Sequence, residues 1–567
     1  MTKSVTQVDG NAQLRAAIDA VTYDRLLDAR GFDAIVVGAG AAGGMAAMLL
    51  TNAGLSVLVL DAGWRTPFFQ APLRRLTSNA IQFVADPRLQ AALPPRVIDL
   101  GRRALRVAGR IYQPVQSKCF AWELAPECFV DDRENPYING PGSDFNWFRA
   151  HQIGGRMVIP GHGRQYYRLS ERDFMPEDGL SPSWGLAPGE LSYWYDLVEG
   201  YLGLAGGHEH CPWVPDSLMA TVLEPSAAEA EVFELIRNRW KLAHPILGRS
   251  APPLDSIDAA ARTSRLYCRT GAMVRDVQVD NSGQTTGVSW YDRAAGGIRS
   301  ARAHTVFLCA SALESTRILL SSRSAASPDG IGASSGALGR YLMDHVLLSA
   351  NGIGGALPDE PVPGEPGRCV YLPRFDTRNG NHAGERGYGV QIYRSSARRG
   401  SSSFTAVSFA EMTPRAENRV VLDPDRRNAW GLPALRIMCR HNEAELRLAA
   451  DQGAALREVG ELLGVRLHRI DKLPAPPGSA IHECGTARMG QSPANSVLDL
   501  NNECWEAKGL YVTDASAFPS QGAQNPTLTI LALTARACDH AAGNFQRERD
   551  RAVRKGAAAA APACISH

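Results

Sequence analysis

The stretch that most constrains the fold of this chain is Phe32 to Gly63, FDAIVVGAGAAGGMAAMLLTNAGLSVLVLDAG. Residues 34–37 form a short apolar run rich in β-branched side chains, suited to a strand buried on both faces. Gly38, Gly40 and Gly43 follow as G-x-G-x-x-G. The first glycine permits a tight turn. The second lets backbone approach a diphosphate with no Cβ in the way, and the third lets a helix pack close against the strand. The spacing predicts that helix over 41–53, stopped at Gly54, and a second buried strand over 55–60. Asp61 ends that strand about 20 residues after the glycines, where a carboxylate binds ribose hydroxyls. Together these features predict a dinucleotide site with the helix N-terminal N–H groups facing the diphosphate. An ordinary glycine turn leaves the acid at the strand end unexplained. This stretch alone leaves NAD and FAD both open.

At 567 residues the chain is too long for one core, so three or four domain-sized units, or two intimate ones, are expected. A net charge of +2 gives no electrostatic ground for nucleic acid or an anionic membrane as partner. No run approaches the roughly 18 apolar residues needed to span a bilayer. Residues 1–31 lack an apolar signal core and a twin-arginine motif, so a cytoplasmic protein is expected. The 11 cysteines show neither C-x-x-C pairs nor metal-ligand spacing, which predicts reduced thiols and no metal. The terminal Cys564-Ile565-Ser566-His567 has the outline of a prenylation box, but its last residue is unsuited and no polybasic run adjoins it.

Further along, residues 11–30 suggest a short amphipathic helix and 64–150 a long covering loop with short helices. Adjacent Gly154 and Gly155, after an aromatic and Arg-containing segment, suggest close backbone approach to a flat or phosphorylated group. A polar run with His162, Arg164, Gln165 and Arg168 follows. Residues 183–265 read as a helical insertion. Alternation over 274–279 and 286–291, around the turn Asp280-Asn281-Ser282-Gly283, predicts a hairpin or meander. A buried strand over 305–309 runs into a helix over 312–320. Short β-like runs across 346–440, among them 389–393 and 419–422, predict one antiparallel sheet, and 442–464 a long helix.

The last informative block is His482-Glu483-Cys484-Gly485-Thr486, then Thr513-Asp514-Ala515, then Asn525-Pro526-Thr527. With it, the chain resembles the glucose–methanol–choline (GMC) flavoprotein oxidoreductases. The likeness is carried by Gly38, Gly40 and Gly43 with Asp61, by Gly154-Gly155, by 309–315 and by Gly339-Arg340-Tyr341-Leu342-Met343-Asp344-His345, similar to the family's G-R-N-L-x-D-H. The resemblance implies an α/β FAD-binding Rossmann-like domain, discontinuous in sequence, with an α+β substrate-binding domain built on an antiparallel sheet. On that plan FAD-binding segments run over 31–182, 266–345 and 479–547. A helical insertion of the substrate domain occupies 183–265 and its main body 346–478. A helical lead covers 1–30 and a disordered tail 548–567. FAD is the implied cofactor, held non-covalently: the family's attachment histidine falls four residues after the second glycine, where this chain has Ile159. The implied cofactor residues are Gly38, Gly40, Ala42, Gly43, Asp61, Ala62, Gly154, Gly155, Arg156, Val274, Ala310, Asp514, Ala515, Asn525, Pro526 and Thr527. His482 is the implied base and Asn525, 43 residues on, its polar partner.

The chemistry also stands on its own. Oxidising an alcohol by hydride loss leaves a hydroxyl proton, which an imidazole of near-neutral pKa accepts efficiently. A neighbouring amide holds the oxygen without titrating. The substrate class comes from the resemblance: Arg149-x-x-x-x-Gly154-Gly155-Arg156 with Gly163-Arg164-Gln165 is most similar to bacterial family members associated with sugars and polyols. This implies a sugar, amino sugar or polyol as small-molecule substrate, with O2 or another acceptor taking the electrons. A choline-like or aryl alcohol, a hydroxynitrile-lyase-like reaction on bound FAD, and an NAD-dependent dehydrogenase are the alternatives. His151, His345 and His540 read as structural, and the aromatics at 184, 193, 194, 195 and 201 as core rather than as a sugar-stacking wall.

Overall fold

The computed structural model describes residues 31–63, 110–123, 125–159, 165–177, 179–252, 255–355, 369–380, 387–395, 403–559 and scattered positions over 97–107. The expected lead helix over 1–30, the covering loop over 64–96, His162, Arg164 and the chain end over 560–567 lie outside the described residues.

The nucleotide unit forms as β1 (Ala34–Val37), α1 (Ala41–Asn52) and β2 (Val57–Asp61). Downstream come β3 (Ile138–Asn139), α2 (Ser192–Leu202), α3 (Ala227–Arg239), β4 (Ile246–Leu247), α4 (Ser256–Arg262) and β5 (Leu266–Thr270). The strands β6 (Ala272–Val279), β7 (Thr285–Asp292) and β8 (Gly297–Arg302) precede β9 (Thr305–Leu308) and α5 (Ala312–Ser321). Then follow β10 (Val346–Ile353), β11 (Val370–Leu372), β12 (Tyr388–Ser395), β13 (Ser403–Ala410), β14 (Arg419–Arg427), β15 (Pro433–Met438), α6 (Glu443–Leu462) and β16 (Arg466–Ile470). The last elements are β17 (Glu503–Cys504), β18 (Ala507–Val512) and α7 (Thr527–Ala559).

β1 sits inside a six-stranded sheet of order β17-β18-β9-β1-β2-β5, parallel except for the short edge strand β17. All four residues of β1 are buried, as a parallel strand covered on both faces requires. α1 packs against α4 and α7. The sheet is thus assembled from four separated pieces of chain, the discontinuity the sequence implied. Of the hairpin or meander expected here, the structure has the meander, antiparallel β6-β7-β8.

The second six-stranded sheet, of order β16-β10-β13-β12-β11-β4, is antiparallel throughout. Burial alternates along β10, and one face packs on α6. On the other face, register places Gly389 opposite Phe409, Gln391 opposite Val407 and Tyr393 opposite Thr405. That face bears the candidate site.

Three expectations need correction. Residues 548–559 of the expected disordered tail continue α7. Residues 346–440 build two sheets, not one: β14 pairs with β15 and β15 with β3 in a separate three-stranded ribbon. The chain leaves the large sheet after Ala410, where the Thr413 N–H donates to Glu445 at 2.8 Å and Pro414 has no N–H for a ladder. Residues 183–265 are not one helical insertion either. α2 packs on α7, α4 on α1, and β4 forms an edge of the large sheet. α4 reaches α1 because Gly44 has no side chain; a Cβ there would lie 2.3 Å from the Ser256 Oγ.

Candidate active site

The glycine turn behaves as its spacing requires. A Cβ on Gly38, whose φ is +93°, would lie 2.6 Å from the Cys309 carbonyl oxygen, and one on Gly43 only 1.8 Å from that of Gly38. A Cβ on Gly40 would meet nothing within 4 Å. Two glycines therefore allow strand and helix to touch, while the third borders open space at the N-terminus of α1, which no side chain caps. Gly154 and Gly155 roof this turn: the Gly154 N–H donates to the Ala39 carbonyl at 2.7 Å, and a Cβ on Gly155 would lie 3.1 Å from the Gly40 Cα. An open cradle of glycine backbone before an uncapped helix start fits a dinucleotide diphosphate. Asp61 accepts from the Ala39 N–H at 2.8 Å and, across half-buried Ala62, from the Gly63 N–H at 2.7 Å. Burial pushes its pKa up.

Three further cofactor candidates have their polar groups engaged within the protein. The Asp514 carboxylate accepts from Ser315 Oγ at 2.5 Å and from the Ser516 hydroxyl and N–H at 2.6 and 3.0 Å, and Ser315 Oγ also accepts from the Ala310 N–H at 3.1 Å. This carboxylate ties α5 to the turn Ala515–Ala517; toward a diphosphate it would be a like charge. The Arg156 guanidinium is paired with Glu483 at 2.8 Å, beside His482, instead of standing open to an anion. Val274 is buried in β6, its carbonyl accepting from Arg317 at 2.5 Å. Thr527 begins α7, and Pro526 before it sets Asn525 two residues ahead of the helix.

The two candidate catalytic residues meet: Asn525 Nδ2 lies 3.3 Å from His482 Nε2. The loop carrying His482 is held by Asp344, a wholly buried carboxylate that accepts from the N–H groups of Gly478, Ala480 and His482 at 2.6, 3.1 and 2.9 Å. Burial and nearby Glu483 raise the Asp344 pKa to about 7. Gly485, at φ +80°, lets the loop pass the Tyr341 carbonyl, which a Cβ would strike at 2.1 Å.

His345 completes the arrangement. Its Nε2 lies 2.6 Å from the Gly522 carbonyl and its Nδ1 2.7 Å from His482 Nδ1. A carbonyl only accepts, so His345 Nε2 carries the proton. Burial lowers the His345 pKa to about 4, so its ring is neutral and its Nδ1 accepts. His482 therefore donates from Nδ1, and in its neutral form the lone pair sits on Nε2, facing the Asn525 amide. Beyond, Asn525 Oδ1 accepts from Gln391 Nε2 at 2.6 Å, and Gln391 Oε1 accepts from the Tyr393 hydroxyl at 2.6 Å. Phe409, from β13, packs on the His482 ring at 5.0 Å between centroids.

His345 is thus not merely structural: burial and the Gly522 carbonyl make it the acceptor that sets the His482 tautomer. Asp344, Gln391, Tyr393 and Phe409 went unrecognised as site residues. The alternation of Gly389-Val390-Gln391-Ile392-Tyr393 already put Gln391 and Tyr393 on one face, but nothing local said what that face meets. Trp184 and Tyr195 are buried as expected, bonded to Ser520 and Thr529 at 2.7 Å, whereas Tyr193 and Tyr201 lie on the surface. Ile159 is fully buried. Among the described residues no helix is long and apolar enough to cross a membrane.

Residues 414–534 match the family model described as GMC oxidoreductase, and residues 36–89 that of the NAD(P)-binding Rossmann-like domain. The chain is 31% identical to 2-methyl-1,2-propanediol dehydrogenase of Mycolicibacterium austroafricanum over 49% of its own length and about half, 54%, of that relative. It is 26% identical to paromamine 6'-oxidase of Streptomyces fradiae over 92% of its length and 93% of that protein. Its fold matches the crystal structure of pyridoxine 4-oxidase from Mesorbium loti with a TM-score of 0.55 and 18% identity, covering 90% of this chain and 98% of that one. The chain belongs to the GMC oxidoreductase family, flavoprotein oxidoreductases whose cofactor is FAD.

Proposed function

We propose that the protein oxidises an alcohol group of a neutral or amino-bearing polyhydroxylated molecule to a carbonyl, with His482 as base. The observation that carries this reading is the placement of His482 between two partners, its Nδ1 2.7 Å from His345 Nδ1 and its Nε2 3.3 Å from the Asn525 amide. Gly38, Gly40, Gly43, Gly154 and Gly155 would cradle the FAD diphosphate by backbone and Asp61 would face its ribose. Ala42, Ala62, Val274, Ala310, Asp514 and Ala515 would line it through backbone, and Pro526 and Thr527 would border the flavin. Bound there, FAD supplies the acceptor for the carbinol hydrogen as hydride.

The chain's own residues handle the proton. His482 Nε2 takes it from the substrate hydroxyl. His345, donating to Gly522, keeps the proton of His482 on Nδ1, so that Nε2 stays basic. Asn525 Nδ2 donates to the oxygen as it gains negative charge. Phe409 offers an apolar surface next to the base, on which the C–H face of a sugar ring packs. The names of the relatives, a diol dehydrogenase and an aminoglycoside-type oxidase, agree with a polyhydroxylated substrate. Buried Ile159 stands where covalent attachment would need a histidine, which supports non-covalent FAD.

The test is anaerobic mixing of the FAD-loaded protein with sugars, aminoglycosides, diols, choline and aryl alcohols, followed by air. Bleaching of the flavin by a sugar or polyol is expected. Bleaching only by choline or an aryl alcohol contradicts the substrate class. Aldehyde release from a hydroxynitrile without bleaching contradicts the reaction.

A further inference from the structure

We infer that Gln391 is a positioning residue whose side-chain amide decides which end of Asn525 faces the base. The inference rests on His482 acting as that base. Gln391 comes from β12, in the large antiparallel sheet, whereas His482 and Asn525 come from the nucleotide-domain segment, so the contact joins the two halves of the site. Gln391 is buried, and its Nε2 lies 2.6 Å from Asn525 Oδ1. Its Oε1 is occupied by the Tyr393 hydroxyl at 2.6 Å.

The polarity of this chain runs one way, from Tyr393 through Gln391 to Asn525. With Asn525 Oδ1 bound to Gln391, Nδ2 is the atom left for His482 Nε2, and a donor there favours the neutral, basic imidazole. If Gln391 offered an acceptor instead, Asn525 would turn its Nδ2 to Gln391 and its Oδ1 to His482. That oxygen opposes a lone pair and pairs only with a protonated Nε2, so the imidazolium would be favoured and the base withdrawn. Gln391 thereby sets the protonation state at which the site works, without touching the reacting atoms.

The other groups around His482 do not supply this polarity. His345 bonds the opposite ring nitrogen, and Asp344 takes the backbone N–H. Glu483 is paired with Arg156, Phe409 is apolar, and Gln521 Nε2 donates to the His482 carbonyl at 3.2 Å. On the side of Gln524, Asp173 accepts from that residue at 3.4 Å.

The test compares FAD-loaded wild type with Gln391→Glu, Gln391→Met and Tyr393→Phe. Gln391→Glu replaces the donor by an acceptor and should move the pH midpoint of anaerobic flavin reduction upward by about one unit. Gln391→Met keeps the volume but bonds neither way; it should slow reduction about tenfold with little change of midpoint. Tyr393→Phe frees Gln391 to turn over and should shift the midpoint in the same direction as Gln391→Glu, but less. In histidine-labelled protein, the imidazole nitrogen resonances should report Nδ1–H His482 in wild type and a protonated Nε2 in Gln391→Glu at the same pH. Equal midpoints and an unchanged His482 tautomer in Gln391→Glu and Gln391→Met overturn the inference and leave Gln391 a wall residue. Failure of the base assignment reads differently: His482→Gln would then reduce the flavin at the wild-type rate, whatever the Gln391 variants do.

Discussion

At the scale of the residue, the site depends on where single protons sit. His345 is 1% exposed, and burial lowers its pKa to about 4. In the unfolded chain it returns to about 6.5. The folded value is the lower one, so as pH falls the unfolded chain takes up the proton first. The stability that neutral His345 retains is complete above about pH 6.5 and is lost progressively down to about pH 4, by up to about 3 kcal/mol. Wild type should therefore lose melting temperature faster than His345→Asn between pH 7 and pH 4.5. Parallel curves for the two proteins would show that His345 is not held neutral. His482 and Asn525 were legible in sequence because their spacing travels with a motif. The role of His345 was not, although Asp344-His345 stood in a quoted motif, because its partner His482 lies 137 residues away and only the folded loop brings the rings together.

Elements place these residues by close approach and by one buried acid. The Gly43 contact, 1.8 Å from a carbonyl oxygen for any Cβ, sets how closely α1 meets β1. Gly43→Ala should force the helix off the strand and lower FAD affinity at least about tenfold, read by FAD titration, whereas wild-type affinity would show that the unit can relax. Asp344 is the anchor of the loop that ends in His482. Asp344→Ala strands two buried N–H groups and a half-buried one and should cost about 3 kcal/mol in a denaturant titration. A change within the scatter of surface substitutions would contradict that anchoring. The glycine turn, its flanking strands and α6 were readable because each is set by local periodicity. The split of 346–440 into two sheets was not: β15 pairs with β3, some 300 residues earlier, and short alternating runs do not reveal their partners. Gln391 and Tyr393 carried a visible alternation but no sign of what their face opposes.

Across the whole molecule, one mainly parallel sheet is stitched from chain segments at 34–61, 266–270, 305–308 and 503–512, with the antiparallel sheet, apart from its edge strand β4, inserted between the last two. The cofactor cradle at Gly38–Gly43 and the base at His482 thus lie at opposite ends of the sequence, and a ligand touching both should stabilise the fold as a unit. Free FAD at about 100 times its dissociation constant should add about 2.7 kcal/mol to stability, visible as a rise in melting temperature. Acid precipitation should release all the flavin into solution; flavin that stays with the pellet would contradict non-covalent binding.

The sharpest measurement is the anaerobic rate of flavin reduction by the best alcohol in FAD-loaded His482→Gln, compared with wild type across pH. If His482 Nε2 takes the hydroxyl proton, the variant should bind FAD normally and reduce it about 10² to 10⁴-fold more slowly, and the low-pH limb of the wild-type profile should vanish. Reduction at the wild-type rate, or a low-pH limb that survives the substitution, would place the base elsewhere.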